Sequence, residues 1–306
     1  MIQARAMLLV ALAGITLVPT ITIGPAGTEA TPYLTNAHLT LIYWGAAWDR
    51  TSTRPSRDAI TAALHDIISG PWGSQLSQYH HIGPSSIDQV VTDGATDPPS
   101  PLTDRDLKTF LEARINRHQV ATPTRRVQRI YTVLLPAGIV ASDPSLTGQH
   151  LNYYRDDGAP VYLAWVLNDG TLTGANSIPK MFSHELAETL TDADVSTGGH
   201  GITFGRPHDE IADVCNHLYA TVNGHAEQAY WSMADGQCVL PRSALAGHAR
   251  PKRPEPVGTR RARLRHWVQP VARSGPAVVV GTTLPTWPTG WACLAAATHP
   301  YGDITP

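Results

Sequence analysis

Ser177-Ile178-Pro179-Lys180-Met181-Phe182-Ser183-His184-Glu185-Leu186-Ala187-Glu188-Thr189-Leu190-Thr191-Asp192 is the stretch from which the fold and chemistry of this chain are best read. Its spacing predicts a helix. Ser177 or Asn176 can cap it, and Pro179 suits the first turn, where a backbone N–H would be unpaired anyway. Met181, Phe182, Leu186 and Leu190 recur at helical spacing and supply an apolar side. His184 and Glu188, four apart, rise from one face. Glu185 points about 100° round the axis from His184.

That is the geometry of a zinc-peptidase helix. Two ligands at i and i+4 hold the metal, and the carboxylate at i+1 serves as general base. The second ligand here is Glu188 where the common motif has His, and zinc accepts carboxylates. The third ligand is expected in His208-Asp209-Glu210-Ile211-Ala212-Asp213-Val214-Cys215. Glu210 and Asp213 compete for it, with Glu210 the first choice. Asp192 extends the His184–Glu188 face by a turn and could ligate the metal or orient His184. His200, His208, His217 and His225 are alternatives, and His150, Tyr153 and Tyr154 are candidate transition-state donors. The competing reading is an amphipathic surface helix with a simple ion pair.

Across 306 residues the net charge is −2 and the hydrophobic content 42%, which is ordinary for a globular protein and selects no partner. The near-neutral total hides a basic segment, Arg250 to Arg273, with Glu255 its lone acid. Arg5 followed by the apolar run Met7 to Val18 reads as a secretory leader over residues 1–30, cleaved after Ala26 or Ala30. Export makes the protein extracellular, without a membrane anchor after cleavage. In an oxidising compartment Cys215 and Cys238 could close a loop, leaving Cys293 over. A Cys215–His217 nucleophile pair is disfavoured, because residues two apart seldom face each other.

In chain order, strands are expected at Thr35–Trp44, Ser86–Thr92, Arg129–Leu135 and Ala159–Leu167, where β-branched and aromatic residues concentrate. Helices are expected from the cap Ser56 to Gly70, in a short piece between Trp72 and Gly83, and at Thr103–Asn116 with a Thr103/Asp106 capping box. The fold class is therefore α/β (α+β) and zincin-like: a mixed twisted sheet with an active-site helix after an edge strand, Ala159–Leu167, and an irregular lobe from Gly198 to Leu240 closing over the site. Residues 31–242 form this domain. Residues 243–306, rich in Pro and Arg, read as a disordered tail.

Leu41-Ile42-Tyr43-Trp44-Gly45, Ile67-Ile68-Ser69-Gly70-Pro71-Trp72, Leu76-Ser77-Gln78-Tyr79, Ile82-Gly83, Ser183-His184-Glu185-Leu186-Ala187-Glu188, Thr191-Asp192 and Glu210-Ile211-Ala212-Asp213-Val214-Cys215 together resemble the Exordium/phosphate-induced protein family. That family comprises plant extracellular proteins and bacterial secreted relatives. The resemblance spans roughly Leu34 to Leu240, implies a similar His-Glu-x-x-Glu helix and links the chain to the cell wall.

These features predict a secreted hydrolase, a zinc peptidase using Glu185 as base and His184, Glu188, Glu210 and Asp213 as metal ligands. Its substrate would be a peptide or associated with the cell wall, and no nucleic-acid partner is expected. One alternative is a non-catalytic extracellular protein with a structural metal. Another is a metal-free glycan binder presenting exposed tryptophans such as Trp44, Trp48 and Trp72.

Overall fold

The computed structural model describes residues 21–23, 33–195, 201–204 and 209–241. The expected leader lies outside the described residues except for 21–23. The basic tail, Cys293, His200 and His208 lie outside them entirely.

In chain order the elements are β1 (Ile21–Ile23), β2 (Ala37–Trp44), α1 (Arg57–Ser69), α2 (Pro71–Ser74), β3 (Ser86–Asp93), α3 (Asp104–Asn116), β4 (Gln128–Leu134), β5 (Gly148–Tyr154), β6 (Pro160–Val166), α4 (Ile178–Thr191), β7 (Ile202–Phe204), β8 (Tyr219–Val222), β9 (His225–Gln228), β10 (Tyr230–Ser232) and β11 (Gln237–Val239). The protein is mixed α/β. Its main sheet runs β3-β2-β4-β6-β5, with parallel pairings throughout except between β5 and β6. The strand directly preceding α4 is therefore interior, and the edge beside it is β5. This corrects the expectation that Ala159–Leu167 forms the edge. Strands β2, β4 and β6 are covered on both faces, which is why each reads as a nearly unbroken apolar run.

Side chains alternate across the sheet. Ile42, Trp44, Tyr131, Val133, Val161, Leu163 and Trp165 pack with Leu107, Phe110 and Leu111 of α3 on one face. On the other face lie α1, where the Tyr43 hydroxyl donates to the Arg57 carbonyl (3.0 Å), and α4, which packs on β5, β6 and α1. Two of the expected helix caps form with their side chains. Ser56 Oγ accepts from the Ala59 N–H, and Thr103 and Asp106 make the reciprocal box at the start of α3. The short piece after Gly70 is one turn of α-helix followed by a 3₁₀ turn, Gln75–Gln78. No helix among the described residues is long and apolar enough to cross a membrane.

The described part of the segment read as an irregular lobe contains two antiparallel hairpins, β8–β9 and β10–β11, while β7 pairs with β1. A disulfide joins Cys215 to Cys238. Cys215 is therefore no thiol nucleophile for His217.

The tryptophans proposed as an exposed binding surface are buried, which corrects that expectation. Trp44 stacks on Phe110, Trp48 meets Tyr43 edge-on, and Trp72 meets Tyr230 edge-on. Each indole has far more apolar area than its single N–H can hold in water.

Candidate metal centre

Helix α4 is buried along its whole length, its charged residues included. His184, Glu185 and Glu188 are 6%, 3% and 3% exposed, so the surface-helix alternative does not hold. Ser177 occupies the N-cap position without a side-chain cap bond, Pro179 sits in the first turn, and Asp192 ends the helix. The i, i+4 spacing brings Glu188 Oε1 to 3.2 Å from His184 Nε2.

Around this helix two groups of side chains have the spacing of a cation site. One is His184, Glu188 and Asp213; the other is His150, Glu188 and Glu210. Asp213 begins the 3₁₀ turn Asp213–Cys215 and places Oδ1 3.5 Å from His184 Nε2. Glu210 instead approaches His150, with Oε1 3.5 Å from its Nε2. Both candidates for the third ligand thus reach the centre, on different sides. His150 sits in the middle rather than outside: its Nδ1 is 3.6 Å from Glu185 Oε2 and 3.5 Å from Glu188 Oε2. The strand pleat explains why. Gly148, His150, Asn152 and Tyr154 face α4, whereas Tyr153 points to the opposite face and donates to Glu112 of α3. Gly148 makes room for the Glu185 carboxylate, since a Cβ there would stand 2.8 Å from Glu185 Oε1.

Asp192 joins neither group, and its Oδ1 accepts the Gly201 N–H (2.9 Å). Tyr154 and Asn152 both donate to Asp194, tying β5 to the chain just after α4. His217 is exposed, and His225 is engaged with Glu227 at 3.3 Å.

Two partners had no signal in the sequence. Gln228 of β9 sets its side-chain amide 2.8 Å from His184 Nδ1 and donates from it to the Ala212 carbonyl (2.9 Å), and its backbone N–H donates to Ser183 Oγ. Such a contact holds the imidazole ring in place. Lys180, buried one turn before His184, donates from Nζ to Asn216 Oδ1 (2.8 Å).

The centre is strongly anionic. Burial by itself favours a neutral His184, yet Glu188 and Glu185 raise its imidazole to about 10. His150 is likewise raised well above the ordinary range, with Glu210 the main source against the effect of burial. Burial, with Glu188 beside it, pushes Asp213 up to about 7, and burial also drives Glu210 well upward. Glu188 moves down despite burial because both imidazoles face it. Lys180 falls to about 8 through burial, partly offset by Glu185 and Glu188. Without a cation, the protein must retain protons here to limit like-charge repulsion.

No protein-family model, curated protein or solved structure matches the chain. The chemistry of this centre therefore rests on its own side chains.

Two histidines and four carboxylates form a donor set suited to a divalent cation. Two of its buried atoms also lack hydrogen bonds: His150 Nε2 and Glu188 Oε1 come close to neighbours without the alignment of a bond. The residues fit a metal.

Proposed function

We propose that this chain is a secreted metal-dependent hydrolase, most simply a zinc peptidase, in which His184, Glu188 and Asp213 hold the cation and Glu185 is the general base. The observation that carries this is the burial of His184, Glu185 and Glu188 on α4, with buried His150 and half-buried Asp213 within reach. Burying so many ionisable groups is costly unless a cation compensates them. A bound divalent cation supplies a Lewis acid that polarises water and the scissile carbonyl. Glu185 takes the proton of the attacking water and returns it to the leaving nitrogen as the C–N bond breaks. Among the described residues no strand pairs with the outer edge of β5, so an extended peptide can add there beside His150.

The zincin-like assignment is supported by the antiparallel edge strand lying next to α4. The Exordium-like motifs support an extracellular, cell-wall-associated role, and the disulfide is compatible with export. The near-complete burial of His184 and Glu188 favours a second reading, a closed structural site without turnover.

Metal analysis of the secreted protein, combined with a peptide-library assay, separates the two. Glu185→Gln is expected to retain the metal and lose turnover. Metal without cleavage of any peptide in the wild type selects the structural site, and a protein that binds no metal refutes both.

A further inference from the structure

The two imidazoles do not share a ligand set. His184 groups with Asp213 and His150 with Glu210, and Glu188 alone belongs to both. Its carboxylate is divided between them: Oε1 lies toward His184 Nε2 at 3.2 Å, and Oε2 toward His150 Nδ1 at 3.5 Å. Glu185 repeats the pattern more loosely, with Oε1 4.0 Å from His184 Nε2 and Oε2 3.6 Å from His150 Nδ1. Whichever triad is filled, Glu188 still presents an oxygen to the other. The unbonded buried atoms fall one in each half of this arrangement, since His150 Nε2 faces Glu210 and Glu188 Oε1 faces His184. Charge points the same way. Glu185, Glu188, Glu210 and Asp213 face one another across a region whose only ammonium among the neighbours named above is Lys180. One dication leaves the four carboxylates short of compensation even with the Lys180 ammonium beside them, whereas two suffice. Carboxylate-bridged pairs of cations, about 3.5–4 Å apart, are an established hydrolytic device.

We propose that the centre takes two divalent cations bridged by the Glu188 carboxylate, one held by His184 and Asp213 and the other by His150 and Glu210. This deepens the hydrolase assignment above and rests on it for its chemistry.

Elemental analysis of the full-length protein loaded with zinc and desalted is expected to give about two zinc ions per chain, against about one for His150→Ala. Manganese titration of the wild type needs no variant. Uptake of the second equivalent is expected to broaden and diminish the paramagnetic resonance signal of the first, through exchange across Glu188. Saturation at one equivalent with an uncoupled manganese signal overturns the second cation, while peptide turnover by that form would leave the hydrolase standing. Two coupled cations without turnover would keep the dinuclear centre and reject the hydrolase. Uptake of none overturns both.

Discussion

At the scale of single residues, Gly148 shows how little space the Glu185 carboxylate has. A Cβ there would meet Glu185 Oε1 at 2.8 Å and the Trp165 carbonyl at 3.2 Å. Gly148→Ala is expected to leave the fold intact but displace the Glu185 carboxylate. A shift of this size at a reacting group costs on the order of a hundredfold, so kcat/KM should fall by about that factor with metal content unchanged. The titrating residues give a second expectation, for metal-free protein. Asp213, ordinarily 3.8, stands at about 7, so its contribution to stability is complete below about pH 4 and is lost as pH rises through 7. His184, ordinarily 6.5 and here about 10, acts in the same direction at higher pH. Lys180, lowered from 10.5 to about 8, acts oppositely, but only above about pH 8. The shift of Glu188 acts below its ordinary 4.5. Between about pH 4.5 and 7, then, the melting temperature of chelated protein should fall as pH rises. With zinc present it should rise instead, because ligands bind metal in their deprotonated forms. A flat chelated profile would remove the electrostatic account of the centre.

Among the elements, the 3₁₀ turn Asp213–Cys215 is too short to hold its own geometry. It is fixed to β11 through Cys215–Cys238, across a sequence separation of 23. Closing a loop of that length contributes about 3 kcal/mol by the chain-entropy model. Cys238→Ser should lose roughly that amount in urea denaturation and also weaken zinc binding, since Asp213 rides on the same turn. Unchanged zinc affinity in the folded variant would detach Asp213 from the metal. The elements also differ in how legible they were. The caps Ser56 and Thr103 and the period of α1, α3 and α4 are local signals, and the structure carries them where they were expected. Strand β5 was not legible. Gly148 and Asn152 are poor strand formers, and the segment is placed there by pairing with β6, His150 opposite Ala164. The strand taken for the edge is interior for the same reason: strand order is decided by which apolar faces pack, and no local run encodes it.

At the scale of the whole molecule, β5, α4, the segment from Glu210 to Asp213 and β9 together assemble one polar centre among the described residues. A cation is expected to tie these parts together. At a free zinc concentration about a thousandfold above Kd, binding to the folded state alone stabilises it by about 4 kcal/mol. Chelation should therefore lower the denaturation midpoint by the corresponding amount, and re-addition of zinc should restore it; an unmoved midpoint would argue against a metal in the folded protein. The sequence by itself determined the His184–Glu188 pair and the flanking Glu185, because helical hydrogen bonding fixes the geometry of residues one turn apart. It also made Glu210 and Asp213 the leading candidates for a third ligand, with Asp192 and several histidines still open. Only the tertiary structure decided that these two acids approach different histidines, that His150 joins the centre from β5, and that Gln228 of β9 holds the His184 ring. Those contacts join residues far apart along the chain, and sheet order and hairpin packing, which are properties of the whole fold, bring them within reach.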